Sequence, residues 1–189
     1  MRKLVLIVHT SLDGFVAGTK GELDGFVASE ENLQFVTELS SSGDTALFGR
    51  SSHQMMNSYW ATAYNLPDAT KGTLAYSTWY NSVQKFVVSK SLKPDLLTKT
   101  QVISNDIAGE VTKIKNQPGK DIIIFGSPSV VQELMKHNLI DEYWVFINPA
   151  IFGKGIALFT ALPDKITLKL TATKSFVNGE VALHYVVER

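Results

Sequence analysis

A chain of 189 residues and 20.8 kDa can bury a substantial core, and its length favours one domain over residues 1–189. Hydrophobic residues at 44% and charged residues at 19% fit an ordinary soluble globular protein and exclude a disordered chain. Eighteen basic residues balance eighteen acidic ones with no block of like charge, which argues against nucleic-acid and membrane partners, and the lack of cysteine excludes disulfides, thiolate zinc sites and a cysteine nucleophile.

The chain opens Met1-Arg2-Lys3, and five apolar residues precede His9. That run is too short for a signal-peptide core or a membrane span, so the cytoplasm is the expected compartment. Leu4 to Val8, rich in branched side chains, reads as a strand covered on both faces. A long glycine-bearing loop over 12–28 follows, and loops of that length in compact domains tend to carry function. Ser29 is the expected N-cap of a helix to Ser40, with Glu30 and Glu31 in its first turn. Asp44 to Phe48 reads as a strand ended by Gly49, with Ser51 or Ser52 capping the next helix. A short helix is placed around Ala69 to Tyr80, strands at Lys85 to Ser89 and Thr100 to Ile103, and a helix from Asp106 that stops at Pro118-Gly119. Asp121 to Phe125 is a buried strand, Ser127 with Pro128 opens a helix that Asn138 closes, and Asp141 to Asn148 is a further strand. Two long strands, Ile166 to Phe176 and Glu180 to Val187, flank Asn178-Gly179, a strong hairpin signal. The expected architecture is therefore α/β, with helices on both faces of the sheet and an antiparallel C-terminal edge.

Two strand-to-helix junctions share one chemistry: Gly49-Arg50-Ser51-Ser52 and Gly126-Ser127-Pro128-Ser129. Each presents backbone N–H groups and a positive dipole end at the carboxyl edge of a sheet, where a phosphate can be held. Arg50 can pair bidentately with a phosphate, notably one on a ribose 2′ position. Ser89-Lys90-Ser91 is a third such tip, so one ligand with several phosphates could lie across all three. The competing reading is equally simple: glycine after a strand is often a plain turn and serine a plain cap, and neither G-x-G-x-x-G nor the P-loop motif is present.

Other candidates divide in the same way. Glu31 could relay a proton or could serve only the helix dipole, and Asp13 could act at the site or brace its own loop. His9 ends a buried strand and reads as a hydrogen-bonded core residue, while His53, His137 and His184 show no metal-ligand spacing. Tyr59 and Trp60, with Trp79 and Tyr80, suit either a pocket for a flat heterocycle or core packing. No G-x-S-x-G elbow supports serine hydrolase chemistry.

Four stretches carry a family resemblance: "SLDGFVAG" from Ser11, "ALFGRSSHQMM" from Ala46, "FVVSKSL" from Phe86, and the segment from Ile122 through Gly153-Lys154-Gly155 to Phe159. Together they resemble the dihydrofolate reductase-like superfamily, and more closely its branch holding the reductase domain of bifunctional riboflavin-biosynthesis deaminase-reductases. The resemblance implies a three-layer fold around a central sheet of about eight strands, mostly parallel, and an NADPH-dependent reductase whose dinucleotide crosses the strand tips. It assigns Gly49, Arg50 and Ser51 to the adenosine phosphates, with Arg50 favouring NADPH over NADH. It sets Ser89, Lys90 and Ser91 at the adenine end and Gly126, Ser127, Pro128 and Ser129 at the pyrophosphate. Asp13, Gly14 and Phe15 fall in the loop over the nicotinamide, and the substrate-protonating carboxylate falls near Glu31. Dihydrofolate reductases usually carry paired glycines where this chain has Phe125-Gly126, and no deaminase or zinc signature is present.

The favoured expectation is hydride transfer from NADPH to a small heterocycle, with the ribosylaminopyrimidine of riboflavin synthesis as first substrate. Alternatives are a pterin reductase and a nucleotide-binding protein without turnover. A homodimer is expected by resemblance, with Tyr143, Trp144 and Phe146 and the C-terminal strands as its face or else as core.

Overall fold

A computed structural model describes residues 1–27, 29–95, 98–160, 162 and 164–189. In chain order the strands are β1 (Leu4–Thr10), β2 (Phe15–Ala17), β3 (Gly43–Gly49), β4 (Gln84–Val88), β5 (Thr100–Ile103), β6 (Asp121–Ile124), β7 (Glu142–Ile147), β8 (Ile156–Ala157), β9 (Leu168–Ser175) and β10 (Val181–Val187). The helices are α1 (Glu30–Ser41), α2 (Arg50–Trp60), α3 (Lys71–Ser82), α4 (Ile107–Asn116) and α5 (Pro128–Lys136).

Eight strands form one sheet in the order β5-β4-β3-β6-β1-β7-β10-β9. The six from β5 to β7 run parallel, and β10 is antiparallel to both β7 and β9. Crossover helices force burial of both faces, and the alternation along β1 shows it. Leu4, Leu6 and Val8 enter a core with Ile122, Ile124, Val111 of α4 and Leu134 of α5. Val5 and Ile7 enter a second core with Val36 of α1 and Tyr76 and Tyr80 of α3. The sheet is thus the middle of three layers, and its continuous apolar runs are what a doubly covered strand requires.

The expected elements are present with shifted ends. Ser29 caps α1 by accepting from the Asn32 amide, Asp106 caps α4 through Gly109, and Gly179 turns the hairpin with φ +85°. The second helix departs from expectation: it starts at Arg50 with Gly49 as N-cap, so neither Ser51 nor Ser52 caps it. The 12–28 loop also carries β2, paired with β8, although Ala28 lies outside the described residues. A strand of three residues is too short to show a period. Tyr143 and Phe146 are buried within this chain, so only Trp144 of that trio stays partly open, stacked on His184. No helix among the described residues is long and apolar enough to cross a membrane.

The sheet edge at the amino ends of the parallel strands is tied by buried charge. Arg2 donates to Asp44 and to Thr45 Oγ1, linking the starts of β1 and β3. Lys115, only 1% exposed, donates to the Leu139 carbonyl at 2.7 Å and to Asp141 Oδ2 at 2.5 Å, and Asp141 also accepts from the Leu4 amide. Removing one partner of such a pair leaves an uncompensated buried charge. Asp141→Asn should therefore lower the unfolding free energy by about 3 kcal/mol in urea titration, whereas Lys3→Met, which removes an exposed lysine from Glu142 while His184 stays bonded to that carboxylate, should cost at most about 1 kcal/mol. Equal losses from the two substitutions would contradict this division.

Candidate functional site

The opposite edge, at the carboxyl ends of the parallel strands, is built differently. Because β3 and β6 are neighbours, their two glycine junctions meet: the Gly49 amide donates to the Gly126 carbonyl at 2.9 Å, and Ser52 Oγ donates to Ser127 Oγ at 3.2 Å. Gly49 allows no side chain here, since a Cβ would fall 2.3 Å from Ser127 Oγ and 3.0 Å from the Ser127 backbone nitrogen. Gly126 has φ +104°, a conformation that side-chain-bearing residues rarely adopt, and the Gly126–Ser127 peptide is cis.

One groove of about 530 Å³ runs beside these junctions. Its wall includes Gly49, Arg50 and Ser51 after β3, Ser89, Lys90 and Ser91 after β4, and Ser127 and Ser129 after β6. The three tips singled out in the sequence therefore border a single space. Pro128 is the first residue of α5 and sets its helical direction, and Val88, Ile107, Val130 and Glu133, which the sequence did not point to as site residues, complete the wall.

Helix capping separates this edge from the rest of the fold. Ser29, Thr70 and Asp106 each accept a first-turn amide of α1, α3 and α4 with their side chains. The caps of α2 and α5, Gly49 and Ser127, make no such bond. Of the five α-helices among the described residues, the two that start at the groove are thus the two with no side-chain cap, which leaves a positive dipole end and donors for an anion. At α5 the donor is the Ser129 amide, because Pro128 has no N–H and the Val130 N–H reaches the Ser127 carbonyl. Arg50 reaches across to Ser91 Oγ at 3.0 Å, and neither Arg50 nor Lys90 pairs with a carboxylate among the described residues. Ser89 is buried and accepts the amides of Ser91 and Leu92, so its hydroxyl shapes the tip. Glu133 at the mouth is held below the usual carboxylate range by Lys136 and His137, and as an acceptor it suits a hydroxyl better than a phosphate.

The remaining candidates sort by their partners. Asp13 accepts from Ser11 Oγ and from the amides of Phe152 and Gly153, and the Ser11 bond leads the causes that lower its pKa. It ties the loop after β1 to the loop after β7. Gly14, with φ +84°, and Phe15 belong to the same tie, through the Leu158 amide on the Gly14 carbonyl and the pairing of Phe15 with Ala157. Glu31 turns outward to Lys174 at 3.6 Å, while Glu30 accepts from Thr70 Oγ1 and the Gly72 amide, joining α1 to α3. Trp60 packs on Tyr76, with ring centroids 4.5 Å apart, and its carbonyl is bonded midway along α3 by Ser77. Neither Trp60 nor Tyr59 lines the groove. His53 is buried against Phe48, and burial, aided by Lys85, pushes its pKa down.

One cluster escaped the sequence reading. Glu180, at the foot of β10, is fully buried and accepts from His9 Nδ1 at 2.7 Å, Asn148 Nδ2 at 3.0 Å and Asn32 Nδ2 at 2.5 Å. Its partners come from β1, the residue after β7, and α1, so it lies on the same sheet edge as the groove, at the start of β10 three strands from β6, and reaches back to His9 on β1, the strand next to β6. The only signal in the sequence was a glutamate placed directly after Asn178-Gly179 at the start of an apolar strand.

Comparison with known proteins gives a family and a fold. The RibD C-terminal domain matches residues 2–182. The uncharacterized protein YyaP of Bacillus subtilis (strain 168) is 31% identical over 186 residues, covering 97% of this chain and 94% of that protein. Dihydrofolate reductase from Enterococcus faecalis, complexed with NADP(H) and RAB-propyl, superposes with a TM-score of 0.68 at 15% identity over 99% of this chain and 97% of the other. The diaminohydroxyphosphoribosylaminopyrimidine deaminase/5-amino-6-(5-phosphoribosylamino)uracil reductase of Thermotoga maritima superposes with a TM-score of 0.69 at 16% identity, over 99% of this chain and 57% of that one.

The contact between the two junctions should be felt in stability. Gly49→Ala forces the β3 and β6 tips apart and should lower the unfolding free energy by about 1–3 kcal/mol in urea titration. An unchanged midpoint would show that the tips separate freely.

Proposed function

The chain belongs to the RibD C-terminal domain family, and from that premise we propose that it is a reductase that takes hydride from NADPH and delivers it to a small heterocycle. The observation that carries this reading is the groove into which α2 and α5 both present N-termini without a side-chain cap, flanked by Arg50 and Lys90, two cations without a carboxylate partner among the described residues. A dinucleotide's charged spine is the ligand whose shape and charge suit three amide-rich strand tips in a row.

The residues fit the cofactor in detail. Gly49 and Gly126 let backbone come close to a phosphate without a Cβ between, and the amides at the starts of α2 and α5 would donate to its oxygens. The hydroxyls of Ser51 and Ser129 add donors at the same tips, and Arg50, held in place by Ser91, would pair with a ribose 2′-phosphate. When bound, the dihydronicotinamide supplies hydride, and the protein's part is to orient both reactants and keep water out. The β2–β8 pair and the Asp13 tie anchor the loop that would cover that end.

The substrate to test first is the ribosylaminopyrimidine of riboflavin synthesis, because the family and the Thermotoga maritima neighbour both bear on that pathway. Pterins form the second arm of the panel, in view of the dihydrofolate reductase neighbour. A binder without turnover would bind NADPH and reduce none of them.

Arg50→Ala is the sharpest probe of cofactor choice. Loss of one charge-assisted phosphate contact worth about 1.5–3 kcal/mol should raise the NADPH Kd about 10- to 100-fold and leave NADH binding nearly unchanged, as read by cofactor fluorescence at fixed ionic strength. A retained preference for NADPH over NADH in that variant would remove Arg50 from the role.

A further inference from the structure

Reduction of a carbonyl or imine needs a proton as well as a hydride, and none of the carboxylates considered so far supplies it. Asp13 is taken up by three donors, Glu30 by α3, Glu31 turns outward to Lys174, and Glu133 in the groove wall is paired with Lys136 and His137. At the position where α1 faces the interior of this edge the chain has Asn32, a carboxamide without an acid proton.

His9 has the features these groups lack. Three residues beyond the pairing of Leu6 with Ile124, β1 reaches His9 as β6 runs into Gly126 and Ser127, so His9 stands on the neighbouring strand level with the phosphate-type tips, on the face of the sheet that α1 covers. Its ring is fixed in plane by stacking on Phe146, with centroids 4.7 Å apart, and lies near Phe26 of the covering loop. Nδ1 faces Glu180, and an ionised carboxylate only accepts, so Nδ1 carries the proton of that bond. Nε2 has no hydrogen-bond partner among the described residues, and the side chain is 34% exposed. The ring is therefore held from behind and free in front.

Glu180 is built for that holding role. It is 0% exposed, so it cannot touch a substrate, and three N–H donors converge on it with no lysine or arginine among its partners in the described residues. Two of the donors are carboxamides that fix the carboxylate in place, and the third is the imidazole it orients.

We propose that His9 is the proton donor of the reductase, with Glu180 as its positioning residue; this rests on the reductase reading above. Hydride from a dihydronicotinamide, which is oxidised to the nicotinamide, forms the new C–H bond of a carbonyl or imine. The C=X π electrons move to X, and X takes the proton from His9 Nε2–H. The imidazole is left neutral with its proton on Nδ1, and solvent at the open side reloads Nε2.

The test compares the full-length wild type with His9→Gln, His9→Gly and Glu180→Gln. His9→Gln should bind NADPH within about 2-fold of wild type yet lose about 10²- to 10³-fold in kcat, and His9→Gly should regain rate on addition of imidazole, which a merely structural residue would not allow. Nitrogen-15 NMR of the ring, recorded without cofactor in alkaline buffer so that the neutral form is observed, should show that form of wild-type His9 with its proton on Nδ1, and Glu180→Gln should lose that single tautomer. An undiminished kcat in His9→Gln, or a neutral wild-type ring protonated on Nε2, would overturn the assignment. Should Glu180→Gln not fold, those two results still decide it. Failure of the wild type to bind NADPH would instead sink the reductase reading, and the ring spectrum separates the two failures.

Discussion

The constraint on which this edge of the molecule depends is the hydrogen bond from the Gly49 amide to the Gly126 carbonyl. It exists because β3 and β6 are parallel neighbours and because neither glycine interposes a side chain. It sets two helix starts side by side, and their first-turn amides, unclaimed by any capping side chain, open on one groove. A Cβ on either glycine would alter the spacing that lets one ligand meet both.

The two edges of the sheet divide the work between them. At the amino ends, buried pairs such as Lys115 with Asp141 satisfy every charge they bring, and such pairs specify how α4 and β7 meet β1. At the carboxyl ends the polar groups are left open where a ligand can use them, as in open α/β sheets generally. Glu180 is different, a fully buried carboxylate closed off by its own three donors. Its closure is what leaves His9 Nε2 as the outward-facing atom.

Much of this was legible in the sequence, and the reasons are local. Asp121 to Phe125 reads as a buried strand, one residue longer than the observed β6, because so short an apolar run suffices, and Ser29 reads as a cap and Asp106 as a helix start because capping acts within three residues. The tips at Gly49, Ser89 and Gly126 could be suspected one by one, but only the strand order β4-β3-β6 brings them together. What stayed hidden depends on distant residues. Gly49 displaced Ser51 and Ser52 as the cap because its neighbour across the sheet, not its own sequence, sets where the helix starts. The His9 to Glu180 contact joins positions 171 residues apart, and no local pattern announces such a pair.

The central claim is that the amides at the starts of α2 and α5 jointly hold a dinucleotide's phosphates. Amide chemical-shift mapping on titration with NADPH tests it most directly. The account predicts saturable shifts concentrated at Arg50, Ser51, Ser52 and Ser129, with the amide of Glu31, at the start of the side-chain-capped α1, little changed. Shifts confined to one of the two junctions, or absent from both while NADPH binds elsewhere, would contradict it.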